Sequence, residues 1–131
     1  MLSHRHRFSR GSDLMGITYI TGSVSSDKSR VEDVRFLVDS GANYTVLPKP
    51  VWKKLKLKPK RVAKFVLADG TTIDRHIGEC LIHLELGECH TPVVLGEEGD
   101  EPLLGAVTLE ELGLVLNPFN RSLRPMRMLL C

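Results

Sequence analysis

FLVDSGANYTVLP, residues 36–48, carries an apolar run that ends on one carboxylate, Asp39, and then turns at once through Ser40, Gly41 and Ala42. A carboxylate at the end of a buried strand is desolvated and costly unless hydrogen bonds hold it. Gly41 has no side chain, so the backbone can turn tightly there and another chain or a ligand can come close. Ser40 can donate or accept a hydrogen bond across such an approach. Taken alone, Asp-Ser-Gly also fits a plain turn cap, because short polar side chains bond their own backbone. The rest of the chain decides between a cap and chemistry.

Working outward, the upstream residues VEDVRFLVD alternate, with Val34, Phe36 and Val38 on one face of an expected strand. Before them, MGITYITGSV has the Thr, Tyr, Ile and Val content of a strand, and SSDKSR is a turn. After the Asp-Ser-Gly turn, YTVLP is a short strand stopped by Pro48. KPVWKKLKL fits a short helix with Pro50 in its first turn and Val51, Trp52 and Leu55 at helical spacing. KFVLADGTTIDRHIG is two strands joined at Asp69-Gly70, where glycine accepts positive φ. ECLIHLEL and HTPVVLG supply two more around a turn at Gly87-Glu88, EEGDE is a loop, and PLLG is a brief buried strand. Thr108 and Glu111 have the spacing of a capping box for a helix that buries Leu109 and Leu112 and stops at Gly113. LVLNP and RSLRPMRMLL end the chain as strands.

Many short strands with one or two small helices imply an all-β, closed barrel-like domain. The 131 residues suffice for one domain with a real core. Residues 1–14, with Arg5, Arg7 and Arg10 and no apolar periodicity, are expected to be a disordered basic tail, leaving 15–131 as the folded domain. That tail has no apolar stretch behind it, so no secretory signal is expected. Nor does any apolar run approach a membrane span. Three cysteines, an odd number, suit a reducing cytoplasm better than a disulfide scaffold. A net charge of +2 does not by itself imply a nucleic-acid partner.

The order FLVDSGA, alternating strand, hairpin, then Leu103-Leu104-Gly105 running into a helix resembles the retroviral-type, retropepsin-like aspartic proteases, and especially the small single-domain members of prokaryotes. The resemblance covers most of residues 16–118. It implies peptide hydrolysis by two carboxylates within about 3 Å that share one proton, one acting as base and the other as acid. This chain has one Asp-Ser-Gly, so the resemblance implies a two-fold homodimer in which each subunit contributes Asp39. On the same footing Ser40 bonds across the axis, Gly41 leaves room and offers its N–H, and Ala42 lines the cleft. Leu103, Leu104 and Gly105 pack under the turn. Ala68, Asp69, Gly70 and Thr71 occupy the flap, a hairpin that closes over peptide and excludes water. The terminal strands ITYIT and LRPMRMLL would join the subunits. Two departures stand out: many relatives have Thr where Ser40 stands, and retroviral flaps are richer in glycine.

Two other patterns compete for attention. Cys80, His83, Cys89 and His90 resemble a zinc set, but on strands Cys80 and His83 point to opposite faces, as do Cys89 and His90, so no metal or other cofactor is expected. Eight Lys or Arg and no acid lie between Lys49 and Lys64. With only Trp52 to stack a base, that run reads as a solvated basic face and no nucleic-acid partner is expected. The expected partners are a peptide or protein substrate and a second copy of the chain. The rival to an endopeptidase is a non-catalytic dimer that binds peptide or protein on the same fold.

Overall fold

Val34, Phe36 and Val38 stand two apart and are 5%, 0% and 4% exposed. Their segment Val31–Val38 is therefore a strand, β2, with one face in the core. The computed structural model describes residues 17–27, 30–117 and 119–126. Around β2 are placed β1 (Tyr19–Ser25), β3 (Thr45–Leu47), α1 (Lys49–Lys54), β4 (Arg61–Val66), β5 (Thr72–Leu84), β6 (Gly87–Leu95), β7 (Leu103–Leu104), α2 (Ala106–Leu112), β8 (Leu114–Leu116) and β9 (Leu123–Pro125). The expected basic tail at residues 1–14 lies outside the described residues.

Seven strands form one sheet in the order β1-β2-β7-β3-β6-β5-β4, and β8 pairs with β9 in a small second sheet. The short β7 ties the two halves of the large sheet together. It runs parallel to β2, pairing Leu37 with Leu103 and Val38 with Leu104. On its other side Leu103 meets Val46 of β3 in antiparallel fashion. A two-residue strand can hold that central place because Leu103 and Leu104 are both fully buried.

The main core gathers Val24, Phe36, Leu47, Ile82, Val93, Leu104 and Leu109 among others, with Val51, Trp52 and Leu112 packed at its rim. A second cluster of Leu37, Val46, Ile77, Val94 and Leu103 lies on the opposite face of the sheet and takes Tyr44, Ala63 and Phe65 at its edge. Helix α1 follows Pro48, which caps it in extended backbone, and Pro50 sits in its first turn, where a missing N–H costs nothing.

Four expectations need correcting. The chain is mostly β, as anticipated, but it is not a closed barrel. β1 crosses to touch β5 over Ser23–Ser25, yet β4 pairs with β5 alone among the described strands and leaves the sheet with an edge. Second, TIDRHIG and ECLIHL are one 13-residue strand that runs on through Gly78, which pairs with Val93, and a Cβ there would stand 3.2 Å from both Leu95 and the Lys58 carbonyl. Third, the β5–β6 turn is at residues 85–86, with Gly87 opening β6.

The fourth concerns the capping box. The cap position of α2 is Gly105, with no side-chain cap bond, and Thr108 lies inside the helix and fully buried. Its hydroxyl is drawn inward by two other threonines, and an inward hydroxyl cannot cap. Gly113 does end the helix as expected, in left-handed backbone at φ 70° and ψ 35°.

Candidate active site

Asp39 is the first residue past β2, and three backbone bonds fix where it stands. Its N–H donates to the Leu104 carbonyl at 3.0 Å, its own carbonyl accepts from Ala42 N–H at 3.1 Å, and the preceding Val38 N–H donates to Thr18 O at 2.8 Å. The Asp39 carboxylate in turn accepts the Gly41 N–H on Oδ1 at 3.0 Å. The turn is thus held from inside by β7 and closed by its own side chain. Asp39 is half-buried while Ser40 and Gly41 are exposed. A carboxylate in that position is oriented, and the backbone beyond it is open to an approaching chain.

The segment after the turn is held by the start of α2. Ala42 O accepts from Ala106 N–H at 2.8 Å, and Asn43 O accepts from Val107 N–H at 2.9 Å. Ala42 itself is only 6% exposed in the isolated chain. Gly105 makes this close approach possible. A Cβ there would stand 2.6 Å from both the carbonyl carbon and the oxygen of Tyr44, which no backbone can accept without moving.

Beneath the turn lies a network that the sequence patterns do not announce. Gly105 N–H donates to Thr45 Oγ1 at 3.1 Å. Thr45 and Thr108 hydroxyls are 2.6 Å apart, and Thr108 and Thr91 hydroxyls 2.8 Å. One ordering satisfies every group, each hydroxyl passing its proton onward from Thr45 to Thr108 to Thr91. All three threonines are at most 2% exposed, so each bond is made where water cannot substitute. The available signal is a lone Thr in each of three apolar runs. One of them, Thr108, misleads because its spacing to Glu111 imitates a cap.

On the other side of the turn, Tyr44 packs edge-on against Phe65 of β4, ring centroids 6.1 Å apart, and accepts a hydrogen bond from Arg61 Nη2 at 3.0 Å. The chain leaving the Asp39 turn therefore touches the hairpin strand β4.

The β4–β5 hairpin carries Ala68, Asp69, Gly70 and Thr71 at its tip, all exposed. Leu67 N–H donates to Thr71 O at 2.7 Å and Gly70 N–H to Leu67 O at 2.9 Å, with Gly70 at φ 90°. Asp69 Oδ1 accepts from both the hydroxyl of Thr71, at 2.7 Å, and its N–H, at 3.0 Å. These bonds, the hydroxyl's first, hold the Asp69 carboxyl below its ordinary pKa. The sequence-predicted residues thus fall into two groups, the Asp39 turn with Ala42 and the hairpin tip, joined through Tyr44 and β4.

A protein-family model described as "gag-polyprotein putative aspartyl protease" matches residues 29–111, more than half of the chain. The chain belongs to this retroviral-type aspartic protease family. The matched span runs from the residues before β2 through the Asp39 turn, the hairpin and Leu103-Leu104-Gly105 to the last turn of α2. No curated protein matches the chain.

Cys80 is buried and His83 exposed, on opposite faces of β5, and His83 Nδ1 is 3.0 Å from Glu88 Oε1. Burial pushes the Cys80 thiol up to about 12, so it is a protonated core side chain at neutral pH. Among the described residues no three His, Cys, Asp or Glu are grouped to hold a metal. No helix among them is long and apolar enough to cross a membrane.

Proposed function

We propose that this protein is an aspartic endopeptidase that acts as a symmetric homodimer, with one Asp39 from each subunit. The observation that carries the proposal is the Asp39 turn: one carboxylate oriented by a buried frame, followed by exposed Ser40 and Gly41 where a second subunit could lie. Two other carboxylates that an internal pair could use, Asp69 and Asp100, are engaged elsewhere. Asp69 is bonded to Thr71, and Asp100 Oδ2 accepts the Glu97 N–H at 2.8 Å within its own loop. A partner Asp39 is thus the reading with the fewest rearrangements.

In the dimer two carboxylates share one proton, because like charges at about 3 Å do not both ionise. The ionised one takes a proton from a water held between them as the water oxygen bonds to the scissile carbonyl carbon. The protonated one gives its proton to the carbonyl oxygen. Collapse of the tetrahedral intermediate breaks the C–N bond, and the nitrogen leaves with a proton returned from the dyad. No cofactor enters. Ser40 would bond across the two-fold axis and stiffen both turns.

The β4–β5 hairpin would serve as the flap. Substrate would lie extended beneath it as an added strand, so that backbone pairing gives affinity and side-chain pockets give specificity. Its link to the active-site turn through Tyr44, Phe65 and Arg61 supports that role. The strand ends ITYIT and LRPMRMLL are proposed to complete the subunit interface. Of the second, only Leu123–Met126 falls among the described residues, with Leu123–Pro125 paired to β8. Cys80 and Cys89 are free thiols, which fits a reducing, cytoplasmic setting.

The test is cleavage of a diverse peptide library followed by mass spectrometry from about pH 3 to about pH 8, wild type beside Asp39→Asn. Discrete cuts that vanish in the mutant are expected, because asparagine cannot share the proton. Absence of any cut at concentrations where the wild type is dimeric would transfer the fold to the peptide-binding rival.

A further inference from the structure

Away from Asp39, a cavity of about 260 Å³ opens between α1, the hairpin return strand β5 and the end of β6. Two lysines of α1, Lys49 and Lys53, and Arg75 of β5 line it. Trp52 forms a fixed wall, since its Nε1–H donates to Gly96 O at 2.8 Å. Two carboxylates also reach the cavity, Asp74 and Glu97. Asp74 is matched by Lys64, 3.0 Å away. Glu97 is therefore left facing three cations, Lys49, Lys53 and Arg75.

Arg75 is the sharpest feature. A guanidinium carries five N–H donors. Here Nη1 donates to the Asp74 carbonyl at 3.0 Å. The buried Nε–H has no hydrogen-bond acceptor among the described residues. Glu97 Oε2 stands 4.0 Å from it, an ion-pair distance but too long for a hydrogen bond. A guanidinium three-quarters buried, with donors to spare, in a cavity of net positive charge, is arranged to meet an oxyanion.

We propose that this cavity is an exosite for a glutamate side chain of a bound acidic peptide. A carboxylate pairs with Arg75 and the lysines, while Trp52, Pro59 and Leu95 supply an apolar wall for the methylenes behind it. A free phosphate would match the charge but leave that wall without a partner. The volume lies just below the range of roughly 300–1,000 Å³ usual for small-molecule sites, and so suits one side chain. Its place also suits a protein substrate. Asp74 and His76 lie a few residues beyond the hairpin tip, and Glu97 opens the loop leading to β7, whose Leu104 carbonyl holds Asp39. In that use the exosite rests on the protease reading and extends it, by favouring substrates with a glutamate away from the scissile bond. As a binding site it rests on the cavity alone.

Trp52 is the chain's only tryptophan and lines the cavity, so its fluorescence reports occupancy without any hydrolysis. Full-length Asp39→Asn protein is titrated with acetylated, amidated triglutamate, with triglutamine and with inorganic phosphate. A saturable change with triglutamate is expected, absent with triglutamine and weaker with phosphate. Adding Arg75→Gln should weaken triglutamate binding at least about tenfold, and Lys53→Gln on the exposed side of α1 should weaken it by a smaller factor. Circular dichroism melts establish that each variant is folded, and Lys53→Gln keeps the test decisive if Arg75→Gln is not.

No saturable signal, equal binding of triglutamine, phosphate binding as tight as triglutamate, or folded variants that bind undiminished would each overturn the proposal. Because binding is read on a protein lacking Asp39, a failed exosite and a failed protease give different results. The first silences Trp52 and spares cleavage by the wild type, and the second does the reverse.

Discussion

The Asp39 turn and the β4–β5 hairpin tip are both tight turns built around an Asp whose Oδ1 accepts the N–H two residues on. Their surroundings differ completely. Asp39 is tied to β7 and its turn to α2, with three buried threonines beneath. Asp69 is tied to Thr71 and little else, with open space around Gly70. The same local device is therefore used once on a turn bonded to a buried frame and once on an exposed tip held by its own bonds. A reacting group needs the first, since small displacements cost rate steeply. A cover over a substrate needs the second.

Breaking the frame should cost far more than altering the tip. Gly105→Ala forces a Cβ onto the Tyr44 carbonyl, and urea titration should show a loss of about 3 kcal/mol or more. An unchanged midpoint would mean that the turn and α2 part easily. Thr108→Val removes one hydroxyl from a buried chain of three, and a loss of about 2 kcal/mol is expected. Its combination with Thr45→Val should cost less than the two single losses added, as befits one network.

The tip answers to pH instead. Asp69 is lowered from an ordinary value of 3.8 by its bonds to Thr71. A depressed folded pKa contributes stability that is present above the unfolded value and lost as pH falls through the folded one. The Thr71 amide should therefore stay protected from hydrogen exchange below pH 3.8 and open only at more acid pH. Asp69→Asn should abolish that titration and hardly move the melting temperature. A large drop in melting temperature would erase the contrast between frame and tip.

Sequence patterns show the strand faces and local turns of this fold better than the joints between distant segments. Period-two alternation placed Val34, Phe36 and Val38 in the core, and Asp69-Gly70 marked its hairpin because positive φ is a local demand. The Asp39 turn was legible for the same reason. What β7 does was not, because two leucines do not say which strands flank them. Gly78 reads as an end of strand, and only its pairing with Val93 of β6 shows that the strand continues. The threonine network joins residues 45, 91 and 108, and no short window contains such a relation. Arg75 lay in a hairpin strand with no mark of the cavity it helps to line.

The central claim is that one active site needs Asp39 from two chains. Its most direct test is peptidase activity while wild type at fixed concentration is mixed with increasing Asp39→Asn. The account predicts that activity falls towards zero as mutant subunits capture wild-type ones in half-equipped dimers. It also predicts that wild type alone loses specific activity on dilution below its dimer dissociation constant. Activity that stays proportional to wild-type concentration, untouched by excess mutant under conditions where mixed dimers form, would contradict the account and place a complete site within one chain.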